Sequence, residues 1–354
     1  MIKYNLFFLK SALNNKLKIK FKLCHFISLF NNILEILSIA IIIPVLTFFL
    51  RIDNDFFLSN NIDFFYKLKE IHQVLMIFLF VFTFFLIRAV AQIFILSYQR
   101  KFIAQLTKNI QGKIFERCIF IDLKDLSKSP LSNQLRNLSD VGRLSKFTEN
   151  LLLLNTNIVL TIFIVCFLFL YNAKITIFFI LMFAILGFIY QILTDKFFLS
   201  TGIELRNRTS AILNSVYNAL NSMKEIIIDK KREYFFKLFS TNNERSIYID
   251  YKTAVYGIAP RVIGEFFLAT IMMIVFIYFF LEKYDNSEII LNLTIFAFAG
   301  LRLLPSFTKI INSSQTLKQN FFSTKKIFEI INKPFKAEIE NFSKKQLNIS
   351  DGIQ

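Results

Sequence analysis

Six long apolar stretches dominate the chain, and they restrict the folds that it can adopt. A helix that crosses the hydrocarbon core of a bilayer needs about 20 apolar residues, and each stretch reaches that length. The chain is 55% hydrophobic with a mean hydropathy of +0.51, which exceeds what a soluble domain requires. The sequence therefore predicts an all-α integral membrane protein with one six-helix domain over residues 23–333. Its spans are predicted at about 23–50, 74–98, 151–171, 175–199, 257–281 and 289–311.

The basic residues predict the orientation of these spans. Two long connecting segments, Gln99–Asn150 and Ser200–Tyr256, carry most of the Lys and Arg, whereas the opposite loops carry few. The positive-inside rule then places both segments and both termini in the cytoplasm, and we expect the cytoplasmic (inner) membrane. Residues 1–22 are basic, and the apolar run after them is too long for a signal peptide and lacks a small-residue cleavage site, which predicts a retained cytoplasmic segment. The same rule accounts for the net charge of +17 without a nucleic-acid partner.

Both long segments keep helical spacing and contain little Gly or Pro. We therefore expect spans two to six to continue as helices for roughly 40 Å beyond the bilayer. Asp122, Asp125 and Pro130 predict the first reversal of the chain, and the second is predicted near Asn221–Asp229. Apolar stripes at the ends of such arms favour a partner below the membrane, although plain connecting turns are the alternative.

Ionisable residues inside the spans are candidates for function, because charge is costly at membrane depth. Arg88 and Arg302 lie at similar predicted depths, and Lys309 follows Arg302 by two helical turns on the same face. Arg261 lies at the cytoplasmic start of the fifth span. Together these four residues predict a positively charged pathway suited to a phosphate or diphosphate head group.

Two of these cations have an alternative interpretation. Arg261 and Lys309 lie near the cytoplasmic interface, where long basic side chains can reach the head-group region. Arg261 also precedes Glu265 by four residues, so the two can simply form a pair. Glu35, in the middle of the first span, is predicted to be a structural counter-ion of one of the arginines.

The first outer loop mixes aromatic and charged residues in "NDFFLSNNIDFFYKLKEIHQ". This pattern predicts a short amphipathic helix on the outer leaflet, or a loop that packs on its neighbours. The apolar residues concerned are Phe56, Phe57, Phe64 and Phe65.

The chain offers no constellation for catalysis or metal binding. Cys24, Cys118 and Cys166 form no C-x-x-C pair, and the two histidines are far apart. We therefore predict no metal site and no catalytic residue. A membrane-embedded glycosyl- or acyltransferase is disfavoured, because clustered carboxylates or histidines near one interface are missing from the sequence.

Several segments resemble the transmembrane half of an ABC exporter. "SPLSNQLRNLSDVGRLSKF" is similar to that family's segment after the first coupling helix, with Ser129 or Pro130 in place of its usual glycine. "LNSMKEIIIDKKREYFFKLF" is similar to the second coupling segment. "LEILSIAIIIPVLTFF" and "AGLRLLPSFTKIINSSQTLK" look most like the branch that flips lipid-linked oligosaccharides. The resemblance covers residues 6–334.

This resemblance implies a dimer, with a second copy of the chain or a related half, that works by alternating access. It implies contact with an ATP-binding domain through two coupling turns, at Asp122, Leu123 and Asp125 and at Ser222, Lys224 and Glu225. It also implies that Arg88, Arg261, Arg302 and Lys309 receive a lipid diphosphate. The outer-loop phenylalanines would then touch the polyprenyl tail.

One feature of the family is missing from the sequence. A Walker A loop needs G-x-x-x-x-G-K-[ST], but the one Gly-Lys pair, Gly112–Lys113, is followed by Ile114. Residues 334–354 resemble the linker into the missing domain. We therefore expect this chain to bind no cofactor, and ATP and Mg²⁺ to bind a nucleotide-binding domain supplied elsewhere. A generic lipid or drug exporter half, or a truncated inactive remnant that serves as a scaffold, remain the alternatives.

Overall fold

The chain folds into long α-helices, described in a computed structural model over residues 15–41, 45, 70–120, 131–282 and 286–332. These residues contain no β-strand. Six of the helices are long and apolar enough to cross a membrane, so the chain is an all-α integral membrane protein, as predicted. The helices are α1 (Asn15–Ala40), α2 (Glu70–Ile119), α3 (Leu131–Tyr171), α4 (Ala173–Asn221), α5 (Met223–Ile228), α6 (Arg232–Leu281) and α7 (Asn286–Asn332).

Most of these helices are far longer than a bilayer requires. Helices α2, α4 and α6 have 50, 49 and 50 residues. At 1.5 Å per residue each is about 75 Å long, against a hydrocarbon core of about 30 Å. The predicted arms are thus uninterrupted continuations of the apolar helices. Helix α1 includes the basic residues between Asn15 and Leu23, so the helix extends beyond the predicted start of its span at Leu23.

Two reversals of the chain are described. Between α3 and α4, Asn172 has extended backbone angles, and its side chain accepts a hydrogen bond from the backbone N–H of Ile175 at 3.3 Å, as an N-cap does. Between α4 and α6, the short helix α5 is followed by Lys230 in the left-handed region, with φ of 54°. This second reversal lies at the predicted position. The first predicted reversal, within residues 121–130, lies outside the described residues.

Two apolar cores hold the long helices together. One core joins the starts of α1 and α3 to the ends of α2 and α7, around Phe102, Phe147 and Phe328. The other joins the end of α3, the start of α4, the end of α6 and the start of α7, around Phe179 and Phe296. Burial of apolar surface is the main stabilising contribution in each core. Since α3 and α7 pass through both cores, this pair is the central axis of the molecule.

The first half of α2 is apolar and largely exposed. Phe78, Phe80 and Phe94 are each more than half exposed, and very little of the most apolar part of α2 is buried. Such a surface is unfavourable in water. It suits the hydrocarbon of a bilayer or the apolar face of another membrane helix.

Helices α4 and α7 approach each other closely at Gly202. A Cβ atom at this position would overlap with the backbone oxygen of Gln319. The side-chain amide of Gln319 in turn donates to the hydroxyl of Thr253 on α6 at 3.2 Å. Helices α4, α6 and α7 are therefore joined at one level by a backbone contact and a hydrogen bond.

Pro260 lies inside α6 and lacks the N–H that a helix residue donates to the carbonyl four positions earlier. That carbonyl belongs to Tyr256. The hydroxyl of Tyr190, on α4, donates to it at 2.6 Å. The hydrogen bond that α6 loses at its proline is thus replaced by one from a neighbouring helix.

Candidate functional site

A polar cavity of about 190 Å³ lies where α1, α2, α3 and α7 meet. Its lining on α3 and α7, residues 153–160 and 302–309, lies at the junction of the segments of these helices that form the two apolar cores. Polar side chains are costly inside apolar spans, so their convergence marks a candidate functional site. The polar lining residues are Ser28, Asn31, Asn32, Glu35, Gln92, Gln99, Thr156, Asn157, Arg302, Ser306 and Lys309.

Helix α7 contributes two cations to this cavity. Arg302 and Lys309 are seven residues apart, which is about 20° short of two full turns, so they share one face of the helix. Both line the cavity, as does Pro305 between them. The side chain of Arg302 is 39% exposed. These two side chains are therefore accessible from the cavity and can pair with an anionic group.

A second face of the same helical turns is apolar. Leu303, Phe307 and Ile310 line a second cavity of about 380 Å³ between α3, α4 and α7, together with Phe183 and Phe188 of α4. Its lining is mainly apolar, so it suits a hydrocarbon chain. The same two turns of α7 thus line a cationic cavity on one face and an apolar cavity on another.

Arg88 lies beside the cationic cavity but is buried. Its Nη1 donates to the hydroxyl of Ser38 at 2.9 Å, and its Nη2 donates to Oε1 of Glu35 at 3.1 Å. The side chain is only 8% exposed. Both of these hydrogen bonds are to α1, which makes Arg88 a link between α1 and α2 rather than a residue that is open to the cavity.

Glu35 connects the two arginines. The oxygen that accepts from Arg88 also lies 3.6 Å from Nη1 of Arg302. The side chain of Glu35 is 16% exposed and lines the cavity. The predicted pairing of Glu35 with one arginine is therefore present, and it extends to both. The charged lining comprises Arg302, Lys309 and Glu35, so its formal net charge is +1, with Arg88 adding a further positive charge behind it.

The uncharged amide side chains of the cavity were not predicted from the sequence. Asn32 donates to the backbone oxygen of Thr156 at 2.9 Å, and its own Oδ1 is buried without a partner among the described residues. Gln99 donates to the hydroxyl of Ser28 at 2.8 Å. The available signal was the Asn31–Asn32 pair within the apolar run of the first span. Two uncharged residues in such a run do not by themselves indicate a binding site.

Arg261 is not brought to this cavity. It is the other predicted pathway cation, but its side chain is 72% exposed and pairs with Glu265 at 2.9 Å, one turn further along α6. It is absent from the lining of the cavity that holds Arg302. The alternative predicted for Arg261, a pair with Glu265, is the arrangement observed.

A charged network joins the first part of α3 to the last part of α4. The carboxylate of Asp140 is buried and lies 3.1 Å from Nε of Arg206 and 3.7 Å from Nη1 of Arg143. Arg143 also donates to the hydroxyls of Thr209 on α4 and Ser323 on α7. The network therefore ties three helices to one carboxylate.

A larger cavity of about 570 Å³ lies beside this network. Its charged lining consists of Arg143, Lys146, Glu149 and Asp250, whose formal charges cancel. It therefore lacks the net positive charge that distinguishes the cavity at Arg302.

The short helix α5 forms the tip of the α4–α6 arm. Ile226 is buried, whereas the predicted contact residues Lys224 and Glu225 are exposed. Ser222, the third predicted contact residue, caps the end of α4. The apolar side chains of Met223, Ile227 and Ile228 are also exposed here. The tip thus presents a mixed apolar and charged surface.

Other predicted residues lie outside the described residues. These are the outer-loop residues Phe56, Phe57, Phe64 and Phe65 and the first-turn residues Asp122, Leu123 and Asp125. Within the described part of the chain, no group of three or more His, Cys, Asp or Glu residues could hold a metal ion.

No model of a known protein family matches the chain.

Proposed function

We propose that this chain is the transmembrane half of an ATP-driven exporter of the ABC type, which moves an amphiphile with a phosphate-bearing head group. The observation that carries the proposal is the position of Arg302 and Lys309 on α7. This helix borders a cationic cavity on one face and an apolar cavity on the other. An amphiphile needs both environments side by side.

The charge of the cavity supports a phosphate-bearing substrate. The guanidinium of Arg302 can donate two parallel hydrogen bonds to phosphate oxygens, and Lys309 adds a second positive charge on the same face. A lipid-linked oligosaccharide diphosphate is the favoured substrate. A generic lipid or drug exporter is the alternative, and it predicts little preference for the charge of the head group.

The length of the helices supports coupling to a partner below the membrane. Helices α4 and α6 together carry the tip helix α5 at their far ends, where apolar and charged side chains are exposed. We propose that an ATP-binding domain docks on this tip, binds ATP and Mg²⁺, and drives alternating access. The exposed apolar half of α2 supports packing against a second copy of the chain or a related half.

The first experiment is the isolation of the native protein from its own membranes, followed by intact mass measurement of every polypeptide recovered. A 41.7 kDa chain with a separate ATP-binding subunit supports the proposal. A longer polypeptide that contains both parts supports it equally. A 41.7 kDa chain without any ATPase contradicts it and favours the alternative of an inactive remnant that serves as a scaffold.

The second experiment measures transport by the recovered complex in proteoliposomes. We expect ATP-dependent movement of a fluorescent isoprenoid diphosphate across the bilayer, and strong loss of this movement in Arg302→Gln and Lys309→Gln. The matched control is Lys326→Gln, which removes an exposed cation lower on the same helix. Equal transport by all three variants would mean that the cationic cavity does not receive the head group.

A further inference from the structure

The carboxylate of Glu35 occupies an unusual position, because a single oxygen serves two arginines that differ in exposure. Its Oε1 lies 3.1 Å from Arg88 and 3.6 Å from Arg302. We propose that Glu35 sets the affinity of the cavity for phosphate head groups, because its carboxylate and a phosphate compete for the guanidinium of Arg302. This inference rests on the proposed function, since it takes the cavity as the head-group site.

Arg88 fixes the position of Glu35. The guanidinium of Arg88 is buried and is held on its other side by the hydroxyl of Ser38 at 2.9 Å. Its contact with Glu35 is also the shorter of the two. Arg88 is therefore a positioning residue for the carboxylate, and we expect it not to touch the head group.

The two contacts of Glu35 have different consequences when a phosphate binds. The contact with Arg302 is long, and Arg302 is the more exposed partner. If phosphate oxygens take over the guanidinium of Arg302, Glu35 still has Arg88. No buried charge is left unpaired by this exchange, which is the condition for a low cost of rearrangement inside a protein.

Glu35 also repels the ligand that it competes with. A like charge at a distance of a few ångströms in the protein interior disfavours a bound anion by about tenfold or more. Changes of affinity within one site appear mostly in the rate of dissociation. Glu35 thus lowers the affinity of Arg302 and Lys309 for the head group, and its carboxylate pairs with Arg302 again when the head group dissociates.

The test is the affinity of Glu35→Gln for a defined ligand. The full chain, in phosphatidylcholine nanodiscs, is titrated with farnesyl diphosphate, with neutral farnesol and with inorganic diphosphate. Gln keeps the size of the side chain and an oxygen for Arg88. We expect farnesyl diphosphate to bind at least about tenfold more tightly to the variant, with unchanged binding of farnesol. A purely structural role would not separate the charged ligand from the neutral one.

Two variants show whether the effect passes through Arg302. In an Arg302→Gln background, Glu35→Gln should no longer increase the affinity for farnesyl diphosphate, because the guanidinium for which carboxylate and phosphate compete is missing. Glu329→Gln, which removes an exposed carboxylate in the cytoplasmic part of α7, should leave the affinity unchanged. If Glu35→Gln does not fold, Glu35→Asp is compared with wild type. The shorter side chain withdraws the carboxylate from Arg302, so the inference predicts tighter binding of farnesyl diphosphate, and an unchanged or weaker affinity contradicts it.

The outcomes separate this inference from the proposed function. If wild type binds farnesyl diphosphate through Arg302 but Glu35→Gln binds it equally or more weakly, the role of Glu35 is refuted and the proposed function stands. If neither protein binds it, both are refuted. Tightening for inorganic diphosphate as well supports the role of Glu35 and identifies the phosphate alone as sufficient. Tightening for farnesyl diphosphate alone supports it and identifies a lipid as the ligand.

Discussion

At the scale of single residues, Arg88 and Arg302 show how far identical side chains can differ in environment. Both were predicted from the sequence to face a pathway, because charged side chains are costly at membrane depth. The structure surrounds Arg88 with Ser38 and Glu35 but leaves Arg302 partly exposed in the cavity. Depth along a helix follows from residue counting, whereas rotation toward a particular neighbour depends on packing.

Replacement of Arg88 tests this difference through stability. In Arg88→Gln, Glu35 retains only its longer contact with Arg302, and a hydrogen bond between two charged groups is lost. We expect a decrease in the free energy of unfolding of about 2–3 kcal/mol and a lower Tm, measured by circular dichroism in detergent. Lys326→Gln, which breaks an exposed pair with Glu329, should leave the Tm unchanged. A similar Tm for both variants would contradict the assignment of Arg88 as a buried link.

At the scale of helices, the arms depend on contacts between backbones as well as between side chains. Helix α4 carries both Tyr190, which bonds to α6, and Gly202, which touches α7. Neither contact follows from helical periodicity, since periodicity identifies the buried face of a helix but not the atom that faces it. Two predictions concern these contacts.

The first concerns the hydroxyl of Tyr190, which replaces the hydrogen bond that Pro260 cannot make. Tyr190→Phe leaves the backbone oxygen of Tyr256 without this donor, and we expect destabilisation of about 1–2 kcal/mol. In a Pro260→Ala background α6 supplies the missing N–H itself, so the same substitution should cost much less. The measurement is a double-mutant cycle of unfolding free energies in detergent. Additive effects would contradict the proposed replacement.

The second concerns the close approach of α4 and α7. In Gly202→Ala the new Cβ meets the backbone of Gln319, so the helices must separate, and we expect destabilisation of about 1–3 kcal/mol. Gly142→Ala is the matched control, because no atom lies within 4 Å of a Cβ at that helical position. There we expect a gain of up to about 1 kcal/mol from helix propensity. Equal effects at the two positions, in thermal unfolding, would mean that the contact is unimportant.

At the scale of the whole molecule, a polar cavity lies where the two apolar cores meet along the α3–α7 pair. The six apolar helices and their long continuations were predictable, because hydrophobicity and residue counting determine them. The Asp140 network was not, since Arg143 and Arg206 become neighbours only when α3 packs on α4. The apolar cavity was missed for the same reason, as Phe183 and Phe307 come from distant parts of the sequence.

The tip helix α5 gives a prediction at this scale. Ile228 is 76% exposed, so Ile228→Asp should leave the Tm of the isolated chain unchanged. If an ATP-binding partner docks on the tip, the charge should reduce its recovery in affinity purification at least severalfold. Ile247→Asp, an equivalent change at an exposed position higher on α6, is the control and should retain the partner. Normal recovery with Ile228→Asp would require a different docking surface.

The hydrogen bond from Tyr190 to the carbonyl left free by Pro260 also has an evolutionary consequence. Loss of the tyrosine alone leaves a carbonyl of α6 without this donor, while loss of the proline alone lets α6 satisfy the same carbonyl itself. Selection therefore acts on the two positions jointly, although seventy residues separate them in the sequence. Among relatives of this chain, a proline at the position of Pro260 should be accompanied by a hydrogen-bond donor at that of Tyr190, and chains without the proline should be free to carry phenylalanine there.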